Sequence, residues 1–345
     1  MEIKEMYFEI ERRIRSVDFD RLWKGFREYP FAIYNDREVC LKGQLVPKTD
    51  EFIANTAIKY NDEWIAIFMV DGNENLDMMA SKLIHEMFHA FQNSKLEGRQ
   101  FNFPSELDVL MKYEYTPSNL AGKLYENRLL VSLIKDGFSQ EKWEDLLISK
   151  RHRLEKHEYS YKYEAGIEET EGTANYVELK SLQQINEKMY KEKLEKMIKS
   201  LEKVESLIPI RIGLYDSGAL LIKLLFDQGI DFNQDFSGVP FSLSILDGLA
   251  FKEVSYPEDK DLEKFIEGHY QDLDELIDRI SKNPPTIEGS FELLGFNAYN
   301  AKYHRAYVYT TYFLAYKDGG EDKFLYGDFL FELDKGRIVR IYRDE

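Results

Sequence analysis

Residues 83 to 92, LIHEMFHAFQ, hold the pattern that most constrains this chain: His85-Glu86-x-x-His89. On an α-helix, positions four apart stack on one face. Two imidazoles at that spacing can bind one metal ion, and the glutamate between them is placed to act as a base on a water held there. The pattern has this meaning only on a helix, and the flanking residues predict one. Stepped at about 100° per residue, Leu76, Met79, Ala80, Leu83, Ile84, Met87, Phe88 and Phe91 share a broad apolar arc, whereas His85 and His89 fall opposite with Lys82 and Gln92. One face can pack into a core while the other looks into a cleft.

A hairpin leads into this helix. FIANTAIKY and EWIAIFMV are rich in β-branched and aromatic residues and join through Asn61-Asp62. Apolar residues on both faces of the second run, from Trp64 to Val70, predict deep burial. DGNEN, residues 71 to 75, then turns the chain, so that a strand and a tight turn fix the histidines. Upstream, residues 1 to about 28 read as one or two charged amphipathic helices with Met6, Phe8, Ile10, Ile14, Phe19 and Leu22 as contacts, and REVCLKGQLV reads as one strand. Residues 96 to 160 read as mostly helical. Their basic run, Lys150, Arg151, His152 and Arg153, suits neutralisation of nearby carboxylates, and His152 and His157 read as surface residues.

The helix expected over about 161–183 contains EAGIEETEGTANYVELK, and on a regular wheel Glu164, Glu168, Glu171, Asn175 and Glu178 form one stripe. Like charges three and four apart repel one another. A solvated face tolerates this, and a cation offsets it. The metal helix lacks a third ligand, and an adjacent apolar arc of Tyr163, Ile167, Ala174 and Val177 buries the stripe beside it. Both points favour a ligand within the stripe. Farther on, residues 184 to 207 read as a Lys/Glu-rich scaffold helix. PIRIGLYDSGALLIKLLFDQG reads as an apolar helix capped by Asp216 or Ser217 and ended by Gly229. An acidic helix with an exposed His269 precedes a linker, NPPTIEG. Alternation then predicts strands in AYVYTTYFLAYK, KFLYGDFLFEL and RIVRIYR, with a hairpin turn at Asp334-Lys335-Gly336. The expected class is α+β. A mostly helical domain over 1–285 carries a small N-terminal β-hairpin or sheet and a helical insertion at about 96–160, and a small antiparallel β module follows at 287–345.

Composition bounds the setting. The formal charge of −17 repels phosphate backbones and anionic lipid, so neither nucleic acid nor a membrane is an expected partner. Cys40 is the only cysteine, which excludes an intrachain disulfide. The N-terminus lacks the apolar stretch of a signal peptide, and runs such as GALLIKLLF are too short to span a bilayer. A reducing, cytoplasmic setting is expected.

At TEGTANYVE, Thr170 to Glu178, the chain resembles the second zinc motif of the gluzincin metallopeptidases. It is most similar to the zinc aminopeptidase branch, where N-E-G-F-A-x-Y-x-E supplies the third ligand. Gly172, Ala174, Tyr176 and Glu178 match, which puts that ligand at Glu171, with Glu168 in reserve one turn away. YDSGALLIKLL resembles the family's Y-x-K-G segment, whose tyrosine steadies an oxyanion; that position is Tyr215, with Gly218 matching and Ser217 replacing the lysine. The three matches stand in family order and cover about a tenth of the chain. Against them, 81 residues separate His89 from Glu171, the G-x-M-E-N strand is not recognisable, and Gln92 and Lys95 stand where a metzincin has its glycine and third histidine.

The resemblance implies a zincin-like catalytic domain in which His85, His89 and Glu171 hold Zn²⁺, Glu86 is the base and Tyr215 the oxyanion donor. It implies hydrolysis of peptide bonds in a peptide or protein substrate. Asn175 or Glu178 would orient a ligand from behind, and His304 is a second candidate donor. The competing expectation is a zincin-like binding or regulatory protein that holds metal with little or no peptidase activity.

Overall fold

A strand with apolar residues on both faces has no side to give to water, so it belongs inside a sheet. The computed structural model, which describes residues 1–96, 104, 106–236 and 238–344, bears this out for EWIAIFM. After helix α1 (Ile3–Ile14) come strands β1 (Phe31–Tyr34), β2 (Glu38–Leu41), β3 (Gln44–Pro47), β4 (Thr56–Tyr60) and β5 (Glu63–Met69). They are ordered β3-β2-β1-β5-β4. β1 and β5 run parallel and the other neighbours antiparallel. The hairpin of β4 and β5 closes through Asn61 and Asp62, both at positive φ, as a two-residue turn requires. REVCLKGQLV is two strands and not one: it folds back at Lys42-Gly43, again at positive φ. β1 is buried at all four positions, so no alternation announces it.

Asn75 opens α2 (Leu76–Leu96), its Oδ1 accepting the N–H groups of Asp77 and Met78 at 3.0 and 3.1 Å. The apolar arc of α2 is buried from Met79 onward, with Leu76 half-buried, and Phe88 meets the rings of Trp23 and Phe26. Trp23 replaces Phe8, which is exposed, among the contacts expected of the N-terminal segment.

The central region is helical: α3 (Glu106–Lys112), α4 (Pro117–Lys135), α5 (Gln140–Lys156), α6 (Glu158–Ile167), α7 (Thr173–Ile185), α8 (Glu187–Leu201), α9 (Ile210–Gln228), the short α10 (Phe241–Ser244) and α11 (Lys260–Ser281). Asn186 interrupts the helix expected over 184–207, its side chain capping α8. α9 begins well before Asp216 and Ser217, which are therefore interior residues and not caps, and Gly229 ends it at φ 63°. Among the described residues no helix is long and apolar enough to cross a membrane.

Seven strands follow: β6 (Ile287–Phe296), β7 (Lys302–His304), β8 (Tyr307–Thr310), β9 (Phe313–Asp318), β10 (Glu321–Tyr326), β11 (Asp328–Asp334) and β12 (Arg337–Asp344). They form one antiparallel sheet in the order β10-β9-β6-β12-β11-β8-β7. The class is α+β. The sheet rests on α11 through Ile277 and Ile280, which pack with Leu330 and Tyr342, and on Leu107 and Leu110 of α3.

The basic run of α5, Arg151 apart, turns inward. Arg153, fully buried, bonds both carboxylate oxygens of Glu164 and reaches Glu126 at 2.9 Å. Lys123 lies 3.1 Å from Glu168 and 3.4 Å from Glu164, and Lys150 joins the same group. Neither histidine nearby is a surface residue. His152 is buried, accepts the Val254 N–H at 3.0 Å and stacks on Phe251, while His157 lies 2.6 Å from a Glu114 oxygen. The sequence suggests exposure for both because a helix bearing four basic residues in a row looks solvated.

Burial alone would push the Glu168 carboxyl up, but Lys123, Lys150 and the Ser217 hydroxyl outweigh it and bring it down to about 2. A depressed carboxyl stabilises the fold in full above its unfolded pKa, and that contribution is lost as the pH falls toward the folded value. Lys123→Met, which strands buried carboxylates, should cost about 3–5 kcal/mol at pH 7. Urea unfolding should show the gap from the parent protein narrowing as the pH drops from about 4.5 toward 2.

Candidate metal centre

α2 places His85 and His89 on adjacent turns with their Nε2 atoms 3.1 Å apart. The third participant arrives through a break in helical regularity. Between α6 and α7 the residues Glu168–Gly172 form a π-helical turn. Such a turn inserts a residue without adding a full turn, and so rotates the helix beyond it by about a quarter of a revolution. The single acidic stripe of the regular wheel is thereby split. Glu164 and Glu168 face the cations of α4 and α5, whereas Glu171 and Glu178 face α2.

Glu171 Oε2 lies 3.7 Å from His85 Nε2 and 3.4 Å from His89 Nε2. Together with the 3.1 Å separation of the histidines, this closes a near-equilateral triangle of ligand atoms. Tetrahedral coordination at about 2.0–2.1 Å demands edges of about 3.3–3.4 Å. The three residues can thus hold one ion and leave a fourth position open. Glu168, the reserve ligand, is committed to Lys123 and to the Ser217 hydroxyl at 2.8 Å. Asn175 donates to the Tyr215 carbonyl and to Asp216, which ties α7 to α9 and leaves no role toward the ion. His304 lies on β7, 2.9 Å from Asp274 Oδ1 of α11, and is no part of the trio.

Each imidazole is held from behind. His89 Nδ1 is 2.8 Å from Gln92 Oε1, and the amide of Gln92 donates to Thr170 O at 3.0 Å and Thr173 Oγ1 at 2.8 Å. An accepting Oε1 puts the imidazole proton on Nδ1 and leaves the Nε2 lone pair for a metal. Gln92 therefore joins α2 to the π turn, a role that its place on the polar side of the wheel does not disclose. His85 Nδ1 is buried without a well-aligned hydrogen bond, and it lies 3.3 Å from Glu178 Oε2. Glu178 is itself paired with Lys193 of α8.

Charge reflects this arrangement. Burial pulls the His85 imidazole down, but Glu171, Glu178 and Glu86 outweigh it and raise it to about 10. Burial pushes Glu171 up, and His89 and His85 hold it well below the usual range. A cation among these groups, proton or metal ion, is what the arrangement requires. Glu86 is largely buried, makes no side-chain hydrogen bond among the described residues, and is raised by burial against the pull of both histidines. Tyr215 is raised by burial and by Glu171, with Arg211 beside it. Arg211, a residue that no motif marks, lies 3.4 Å from Glu171 Oε1 and 2.8 Å from Glu106. A cleft of about 310 Å³, lined by Thr56, Tyr163 and Arg211 among others, reaches two of the three, His89 and Glu171.

Two glycines fix the depth of the π turn. A Cβ on Gly172 would stand 2.7 Å from Gly218 Cα, and one on Gly218 would stand 2.8 Å from Gly172 Cα. The turn and α9 meet backbone to backbone, which explains glycine in both motif-like segments. Compared with protein-family models, characterised proteins and solved structures, the chain matches none.

Protein purified without added metal should carry about one equivalent of a divalent transition metal by mass spectrometry, and His89→Ala should carry none. Glu178→Gln and Gln92→Ala should each weaken binding by about 10–100-fold in competition with a chromophoric chelator. Unchanged affinity in both would dismiss the supporting roles given to these residues.

Proposed function

We propose that this chain is a zinc-dependent peptidase of the gluzincin type. The observation that carries the reading is the triangle of His85, His89 and Glu171 with the uncommitted carboxylate of Glu86 beside it. Two imidazoles and a carboxylate suit zinc, which when bound supplies a Lewis acid and makes a water ionisable near neutral pH. Glu86 takes the proton of the attacking water and passes it to the leaving amine. Tyr215, adjoining Glu171 at the first turns of α9, donates its hydroxyl to the oxyanion that develops on the carbonyl. Gln92 and Glu178 keep the imidazoles aimed while this happens.

A peptide substrate is supported by the sheet. β4 lies at its edge, and Thr56, at the start of that strand, lines the cleft. An exposed edge offers backbone donors and acceptors to an extended peptide. The single buried Cys40 and the net charge of −17 suit action in a reducing, cytoplasmic compartment, on partners other than nucleic acid or anionic membrane.

One contact favours a second reading, a metal-holding binding or regulatory protein without turnover. Arg211 bridges Glu171 and Glu106 inside the cleft, where it competes with a substrate for space and for the ligand's charge.

Glu86→Gln separates the two. It should keep one equivalent of zinc and lose cleavage of a peptide library by at least about a hundredfold, and a chelator should silence the parent protein until zinc is restored. Full activity in Glu86→Gln excludes the mechanism. Zinc binding with no zinc-dependent cleavage by the parent protein selects the second reading.

A further inference from the structure

A larger cavity, of about 550 Å³, lies where α11 meets β7, and it shares no lining residue with the metal cleft. Its volume is that of a site for a small organic molecule. Tyr115, Phe265 and Tyr303 contribute aromatic wall. Lys264 of α11 and Lys302 of β7 also line it, both exposed, and neither side chain makes an ion pair or hydrogen bond among the described residues. Elsewhere in this acidic chain lysines are commonly matched to carboxylates; here two uncommitted ammonium groups face a single lining acid, Asp272. His269 lies between the rings of Tyr115 and Tyr270, at 6.5 and 5.5 Å, with no hydrogen-bond partner among the described residues. Burial and then Lys302 hold its pKa below the usual value, so near neutrality it presents one donor and one acceptor.

Gly268, in the middle of α11, adds a separate observation. A glycine inside a helix costs about 1 kcal/mol relative to alanine. Gly122, Gly172, Gly213 and Gly218 have a reason for it, because a Cβ on any of them would come within 3 Å of another atom. A Cβ on Gly268 would meet nothing within 4 Å, and its φ is not in the left-handed range. Neither packing nor backbone geometry calls for glycine there. What the missing side chain preserves is open volume in the cavity that Gly268 lines.

We propose that this cavity binds a small aromatic anion, its rings against Tyr115, Phe265 and Tyr303, its acidic group between Lys264 and Lys302, and its body over the bare backbone at Gly268. The site is independent of the metal centre and of any peptidase activity.

The probe is anilinonaphthalene sulfonate, an aromatic anion that fluoresces in apolar surroundings, titrated into the full chain. Phenylnaphthylamine, which has the rings without the sulfonate, is the control. The parent protein should bind one equivalent of the sulfonate, more tightly than the neutral probe. Gly268→Leu should weaken both probes by at least about tenfold and leave the melting temperature unchanged or higher. The double variant Lys264→Gln/Lys302→Gln should weaken the sulfonate by about tenfold and leave the neutral probe unaffected. Sulfonate binding that survives the double lysine change overturns the proposal, and that variant alters only exposed positions, so it decides the matter even if Gly268→Leu does not fold. Binding that a folded Gly268→Leu leaves intact overturns it equally.

Discussion

A carboxylate taken out of water has to meet a cation or hydrogen-bond donors, and one helical segment of this chain carries four buried ones: Glu164, Glu168, Glu169 and Glu178. Glu164 and Glu168 meet Arg153, Lys123 and Lys150; Glu178 meets Lys193. Among the described residues Glu169 has only the Phe241 N–H, at 2.8 Å, and burial pushes it up to about 8, so near pH 7 it is mostly protonated. These matches fix the rotation of the segment about its own axis. Breaking a buried pair costs about 3–5 kcal/mol, and a fold is stable by only about 5–15 kcal/mol. A slip by one residue would strand several pairs together and is therefore closed to the molecule. With the rotation set, the π turn leaves Glu171 aimed at α2.

The histidines and their helix were legible because one side of α2 is apolar at helical spacing, a pattern that local periodicity reads directly. The β4–β5 hairpin was legible for the same kind of reason, through turn residues and alternation, and so were β12 and the strand-forming runs before it. AYVYTTYFLAYK and KFLYGDFLFEL, however, each fold as two strands that turn at Tyr312 and Gly327, both at positive φ. Other elements were not. β1 is buried throughout, and β6 carries register shifts in both of its pairings, which erase a period of two. The split of the acidic stripe was hidden because a wheel assumes a constant step, and a π turn breaks that assumption at Glu168–Gly172. The neutralising role read for Lys150 and Arg153 holds, with Glu126, Glu164 and Glu168 as the carboxylates. His152 looked solvated because its partners, Val254 and Phe251, lie about a hundred residues along the chain.

The departures from the gluzincin pattern acquire physical sense in three dimensions. Ser217 stands where the resemblance leads one to look for a lysine, and Lys123 Nζ lies 3.3 Å from its hydroxyl. An ammonium from α4 thus stands beside the neutral hydroxyl that α9 presents there. α4 and α5 supply much of the positive charge that allows an acidic helix to be buried beside α2. Arg211 is the other addition, and its contact with the second oxygen of Glu171 leaves Oε2 as the atom turned toward the histidines.

Contact between bare backbones has no rotamers with which to relax. Where Gly172 lies against Gly218, α9 acts as a fixed stop behind Glu171, and any adjustment to an ill-sized ion falls on the side of α2. That side is braced by the hydrogen bonds of Gln92 to the π turn and by Glu178. Calcium, which prefers oxygen-rich coordination at about 2.3–2.6 Å, would have to spread the triangle against both. With an ion in the candidate site the glycine pair would thus act as a size filter, favouring small ions with short bonds, although neither glycine is among the candidate ligands.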